Sequence, residues 1–142
     1  MNDRPEAPYK YLPHTYPFVM TDRITEYEEG SRIVCIKQVS ISEGFFLGQS
    51  GEAPVMPWSL VMESMAQTSG LLLGTKSKGA FLTGLNRFSI HGAISAGDTV
   101  CLTAVSRGVI GPVHRFSVKA EVDGKAAIEG ELILTEFDGA VI

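Results

Sequence analysis

FFLGQSGEAPVMPWSLVMESMAQTSG, residues Phe45 to Gly70, decides how the rest of the chain is read. Its first part, Gly48 to Pro57, is a loop rich in Gly and Pro. Its second part is apolar on nearly every side, through Leu60, Val61, Met62, Met65 and Ala66 and on into Leu71, Leu72 and Leu73. A surface helix carries one apolar stripe, whereas a helix apolar all round is buried. The stretch therefore predicts one long buried helix from Pro57 to about Leu73, with Pro57 at the first helical position, where a missing N–H does no harm. Ser59, Glu63 and Gln67 are four apart and stack on one helix face. A carboxylate on a buried helix must be paired, hydrogen-bonded or protonated. Glu63 is thus the first residue to ask about chemistry.

Outward from the helix the chain reads as strands. Upstream, Arg32 to Ile41 is rich in β-branched residues and follows a Glu29-Gly30 turn signal. Tyr11 to Met20 cannot form a long helix, because Pro13 and Pro17 interrupt it. Residues 1–10 read as a loose polar arm of a single 142-residue domain. Downstream, Gly74 and Gly79 bracket the end of the helix. Phe81 to Ile90 can form a strand that Gly84 weakens, and Thr99 to Val105 is β-rich. After a Gly111-Pro112 turn, His114 to Val122 alternates, with Phe116, Val118, Ala120 and Val122 on one face and Ser117, Lys119 and Glu121 on the other. Asp123-Gly124 signals a type I′ hairpin. Ala126 to Phe137 returns with Ile128, Gly130, Leu132 and Leu134 facing one way. The sum is α+β, about five or six antiparallel strands with one helix.

Composition excludes several classes. Hydrophobic content is 44% and charged content 20%, which is ordinary for a globular chain. The net charge of −4 argues against a nucleic-acid partner, since phosphate binding needs a basic surface. No apolar run is long enough to span a membrane, and MNDRPEAPYKYLPH lacks the apolar core of a secretory signal. Cys35 and Cys101 stand far apart without a CxxC or Cys/His cluster and read as reduced strand residues of a cytoplasmic protein. There is no metal-ligand set, no phosphate-cradling Gly loop and no nucleophile with a matched base, so no cofactor is expected.

Several blocks, in order along the chain, resemble the (3R)-hydroxyacyl-acyl-carrier-protein dehydratase family of fatty acid synthesis. They are Leu12-Pro13-His14-Thr15-Tyr16-Pro17-Phe18 with Asp22-Arg23, Gly48 to Trp58 with Pro54-Val55-Met56-Pro57, the helix with Glu63, Met65, Ala66 and Gln67, and Ala96-Gly97-Asp98. The resemblance implies a hot-dog fold, in which the sheet wraps the helix. It also implies subunits whose sheets join edge to edge, and a site at the subunit boundary. The family's base is a His from one subunit and its acid a Glu or Asp from the other. Backbone N–H groups at the helix start hold the thioester carbonyl.

The departures fall on the chemistry. The family's His position is occupied by Gln49, the following Phe-Pro by Ser50-Gly51, and the Gly opening the helix by Trp58. Glu63 keeps the acid's position. An amide has no useful pKa near neutrality, although it can hydrogen-bond a carbonyl. The resemblance therefore implies a catalytic pair of Glu63 and Gln49, the second without a base's chemistry. It places Gly48, Pro54, Met56, Pro57, Trp58 and Gln67 around the substrate, with Trp58 at the mouth of an apolar tunnel. His14 reads as structural, and His91 and His114 as strand-end and polar-face residues. Three functions stay open. One is a dehydratase-like protein binding thioesters of acyl-carrier protein or coenzyme A, as a homo-oligomer or as partner subunit of an active paralogue. Another is a dehydratase with a substitute base. The third is a hot-dog thioesterase in which Glu63 activates water or attacks the thioester directly.

Overall fold

The structure, a computed structural model, describes residues 8, 11–12, 18–49, 54–74 and 77–137. The expectations for the arm at residues 1–7 and 9–10, for Pro13, His14 and Pro17, and for Ser50-Gly51 lie outside these. One six-stranded antiparallel sheet runs in the order β1-β2-β4-β5-β6-β3. The strands are β1 (Arg23–Glu28), β2 (Arg32–Gln38), β3 (Ala80–Ile90), β4 (Thr99–Ile110), β5 (Val113–Val122) and β6 (Lys125–Glu136). The helix α1 (Trp58–Gly70) lies across the inner face, against β4, β5, β2 and β6. A 3₁₀ turn, Leu71–Leu73, continues it. This is the hot-dog arrangement.

The inner face is built by alternation. Ile33 and Cys35 on β2 face the same way as Val100, Leu102 and Ala104 on β4. Phe116, Val118 and Ala120 on β5 and Ile128, Leu132 and Leu134 on β6 complete the face, and all of them are buried. Period-two patterning with one buried face is what an antiparallel sheet requires. The β5–β6 hairpin turns at Asp123-Gly124, both at positive φ (52° and 77°), the geometry of a type I′ turn. His114 belongs to the inner row, stacked on Phe116 with ring centroids 6.3 Å apart, rather than to the polar face.

β1 was not expected from the sequence, whereas β3, expected over Phe81 to Ile90, forms at Ala80–Ile90 with an irregular face. β1 (RITEYE) carries little apolar signal, because Ile24 alone is buried in it, and a half-exposed strand with one buried residue leaves no period. β3 hides its period for a different reason. Its register against β6 slips between Leu82 and Gly84 and again between Asn86 and Ser89. Each slip inserts one residue, as a β-bulge does. The residues over the inner face are therefore Leu82, Leu85, Phe88 and Ile90, spaced three, three and two. Arg87 in the second bulge has φ 54°. Phe88 lies over Gly130, where a Cβ would meet the ring at 2.6 Å.

The helix is also less uniformly buried than its composition predicts. Its buried residues are Val61, Ser64, Met65, Ala66, Gln67, Thr68 and Ser69, while Leu60 and Met62 are half-buried and Ser59 is exposed. The small polar residues are accommodated because they bond back into the helix. Ser64 Oγ donates to the Leu60 carbonyl, Thr68 Oγ1 to Ser64 and Ser69 Oγ to Met65, at 3.0, 2.8 and 2.8 Å. Small side chains satisfied in this way can be buried against the sheet, while Trp58, Leu60 and Met62 of the first half pack against the core only in part.

Candidate functional site

The start of α1 is set by a chain of backbone contacts. Val55 bridges Ser95, and the Met56 N–H donates to the Ile94 carbonyl at 2.8 Å. Pro57 follows with ψ 137°, so it is the N-cap and not the first helical residue. Its carbonyl accepts from the Leu60 and Val61 N–H groups. The first N–H groups of a helix lack intrahelical partners and carry the positive end of the dipole. This end can therefore hold a carbonyl oxygen that gains charge. Trp58 packs part of its ring against the core.

Gln49 sits six residues before Val55 and is clipped to it. Its Nε2 donates to the Val55 carbonyl at 2.8 Å and to the Phe45 carbonyl at 3.1 Å, and its Oε1 accepts from the Val55 N–H at 2.9 Å. Both ends of the amide are thus engaged by backbone, in the two-bond pattern of a strand partner. Gly48 just before it has φ 80°, a conformation that suits glycine. The clip joins Gly48-Gln49 to Pro54-Val55 at the neck of the loop.

Glu63 is half-buried rather than buried in the single chain. Gln67 Nε2 donates to Glu63 Oε1 at 2.9 Å and to the Phe18 carbonyl at 2.8 Å, and Gln67 Oε1 accepts from the Met20 N–H at 2.7 Å. The Met20 N–H can only donate, which fixes the amide's orientation and directs Nε2 at the carboxylate. Gln67 is 2% exposed and directs its amide inward, to Glu63 and the backbone. Of the stacked trio, Glu63 and Gln67 meet and Ser59 faces outward. Met56 belongs to the core at 2% exposure, and Pro54 and Pro57 are half-buried.

Elsewhere, the Cys35 thiol faces Thr21 and Thr68 beneath α1, and burial pushes it up to about 11. Both cysteines are free. His91 pairs with Glu129 at 3.4 Å on the surface, and His114 with Glu136 at 2.7 Å. No group of three or more His, Cys, Asp or Glu able to hold a metal occurs among the described residues. An open groove of about 390 Å³ lies on the outer face of the sheet, lined by Arg87, Arg107, Lys119 and Glu131 among others, away from Glu63. Among the described residues no helix is long and apolar enough to cross a membrane. Sequence reasoning did not find Val55 as the partner of Gln49, or the Phe18–Met20 backbone as the partner of Gln67. Backbone partners leave no residue-type signal.

Fold and site together define a hot-dog domain whose central helix presents a carboxylate. The chain belongs to the FabA-like domain family, which matches residues 12–135. It is 39% identical over 140 residues to the 3-hydroxyacyl-[acyl-carrier-protein] dehydratase FabZ of Thiobacillus denitrificans, covering 94% of this chain and 97% of that protein. The FabZ of Staphylococcus carnosus is also 39% identical, over 85% of this chain and 86% of its own length. Among solved structures, the dehydratase heterocomplex ApeI:P of Xenorhabdus doucetiae superposes with a TM-score of 0.81. It has 19% identity and covers 94% of this chain and 92% of its own. Cj0977, a sigma28-regulated virulence protein of Campylobacter jejuni, gives 0.72 at 12% identity, over 95% of this chain and 99% of its own.

Proposed function

We propose that this chain binds 3-hydroxyacyl thioesters as a dehydratase-type subunit, and that on its own it turns them over weakly or not at all. The observation that carries the reading is the contrast between Glu63 and Gln49. Glu63 is oriented by Gln67 on the helix, as an acid for the departing hydroxyl would be. Gln49, at the position where the resemblance puts the base, is an amide already engaged by Val55 and Phe45. Dehydration needs a base for the proton alpha to the carbonyl, an acid for the hydroxyl and donors for the carbonyl oxygen. In this reading Glu63 is the acid and the N–H groups at the start of α1 are the donors, while the family's His position is held by Gln49, which has no base's chemistry. Carrier-protein thioesters are the substrate class, as for the dehydratases this chain is similar to, in a cytoplasmic setting.

Assembly completes this reading. Leu82, Leu85 and Ile90 are in register with the buried Leu134, Leu132 and Ile128, yet they are 40%, 49% and 53% exposed. They extend the apolar inner face beyond the reach of α1, on an edge strand. A second hot-dog subunit joining at β3 would cover them. If that subunit is a paralogue with an imidazole in place of Gln49, one site of the pair regains its base, opposite Glu63 of this chain.

The test is enoyl-thioester absorbance with 3-hydroxyacyl thioesters for wild type, Gln49→His and Glu63→Ala. Wild type is expected to be near background. Gln49→His is expected to recover part of the about 10²–10⁴-fold that a positioned base supplies. Recovery is incomplete because Trp58 also differs and reacting groups need close placement. Robust wild-type turnover would refute the missing base. Thiol release without enoyl product, abolished in Glu63→Ala, would replace the reading with a thioesterase.

A further inference from the structure

Lys37 is 5% exposed, the one charged side chain among the described residues that is buried. It stands on the inner row of β2, two residues beyond Cys35, where a leucine or isoleucine would satisfy the pattern. Its Nζ lies 2.5 Å from Glu43 Oε1 and 3.9 Å from Asp22 Oδ2. Both carboxylates are themselves tied to backbone. Glu43 Oε2 accepts from the Ser40 N–H at 3.2 Å, and Asp22 Oδ2 from the Gln38 N–H at 2.7 Å. Burying a charge is unfavourable even when it is paired, and well-packed apolar residues in its place are often as stable or more so. The pair therefore calls for a positional explanation.

That explanation lies in what Glu43 leads into. Glu43 is the N-cap of the 3₁₀ turn Gly44–Phe46. The turn then hands on by backbone bonds, Phe46 N–H to Glu43, Leu47 N–H to Gly44 and Gln49 N–H to Phe46, to the residue that clips Val55. The opposite side of the same strand end is held by the Asp98 loop. The Val39 N–H donates to the Asp98 carbonyl and the Gly97 N–H to the Val39 carbonyl, while Asp98 Oδ2 accepts from the Ser95 N–H at 2.8 Å. Ser95 is the residue that Val55 bridges. Two acidic motifs, Asp22-Arg23 and Gly97-Asp98, thus converge on the end of β2, one on each side of the path to the loop.

We infer that Lys37, through Glu43, is a positioning residue that fixes the Gly44–Gln49 segment, and with it the clip to Val55, relative to the start of α1. Its importance for ligand binding rests on the proposal that this loop borders the acyl-thioester site. The position of the loop does not rest on that proposal. The pair acts as a strut because Lys37 is anchored in the strand and Glu43, the residue that opens the turn, holds both Lys37 Nζ and the Ser40 N–H with its carboxylate. An apolar pair would fill the volume without setting the register of the turn.

The test is Lys37→Met/Glu43→Leu in the full chain, read by site-resolved amide hydrogen exchange and by titration with an acyl-pantetheine thioester. Exchange at the Val55 N–H is expected to accelerate about tenfold or more, as a local opening. The amides of Met65 on α1 and Leu102 on β4 should keep their wild-type protection. Lys37→Arg, which keeps the charge and a donor to Glu43, should stay within about threefold of wild type at Val55. Acyl-thioester affinity should fall about fivefold or more in the double variant, the loss expected when a binding loop is no longer preorganised. Unchanged exchange at Val55 would overturn the strut, and so would equal acceleration at Val55, Met65 and Leu102, which would make the pair a general stabiliser. Local opening with unchanged affinity would leave the strut standing and remove the loop from the acyl site.

Discussion

The two edges of the sheet are built on opposite plans. β1 is six residues long, RITEYE, with two carboxylates and an arginine; Glu26 pairs with Arg32 of β2 at 3.4 Å. Its register slips between Ile24 and Glu26. Short, charged and bulged edges resist pairing with another chain. β3 is eleven residues long, and Phe81, Leu82, Leu85 and Ile90 are all at least 40% exposed along it. Both edges carry bulges, so a bulge by itself does not protect an edge. On β3 the bulges bring apolar side chains back onto the inner face. β1 is thus built to resist pairing, whereas β3 leaves apolar side chains open along its edge, the edge at which the proposed function places a second subunit.

The sharpest way to break this comparison is to mutate registered neighbours on either side of the covered boundary. Leu132 is 0% exposed and pairs with Leu85, which is 49% exposed. Leu132→Ala should destabilise the chain by about 2–5 kcal/mol in urea unfolding, the range for a fully buried leucine. Leu85→Ala should cost less than about 1 kcal/mol in the separated subunit. Comparable losses at both sites would mean that the inner face is covered as well beyond α1 as beneath it.

On the proposed assembly at β3, Leu85→Glu should weaken self-association about 100-fold or more by sedimentation, because an unpaired charge would be buried at that interface. Thr25→Glu, on β1, should leave association unchanged. The reverse result would exchange the roles of the edges.

Gly130→Val tests how β3 is attached. A Cβ there meets the Phe88 ring at 2.6 Å, so the ring must leave and the second bulge must shift, at about 1–3 kcal/mol. Adding Phe88→Ala should restore part of that loss.

The smallest effect concerns pH. Glu136 pairs with His114 at the end of β6, beside Ala80 of β3. The hydrogen bond from His114 and a second from Ser77 hold its carboxyl below the usual range. A depressed folded pKa gives stability that is present above the unfolded value, near about 4.3, and is lost as pH falls through the folded value. The site is partly exposed, so the contribution is under about 1 kcal/mol. Between pH 3 and 6, His114→Ala should flatten the rise of the urea midpoint.

Wherever one face of a strand is uniformly covered, its pattern was legible. β5 and β6 show period-two alternation, the turn residues Asp123-Gly124 fall where positive φ is required, and Phe45–Gly70 announces the helix through composition. β1 left no signal and β3 showed as a strand without a legible face, because register slips and partial cover erase the period that sequence patterning depends on. At the site, Glu63 stood out as a carboxylate in an apolar helix, and its neighbour Gln67 followed from four-residue spacing. Gln49 stood out by resemblance, but its clip to Val55 did not, because an amide's partner here is backbone and any residue at position 55 other than proline would supply it.

By itself, then, the sequence determined the central helix, the hairpins of its last third and the family to which they belong, since these depend on local periodicity and residue type. Only the tertiary structure decided that Lys37, Glu43 and Asp22 meet, that both amide ends of Gln49 are occupied, and that Leu82, Leu85 and Ile90 share a buried row yet lie open. Each of those outcomes depends on which distant strand ends and backbone groups are brought within hydrogen-bonding or packing range, and those contacts are of short range in space but not along the chain.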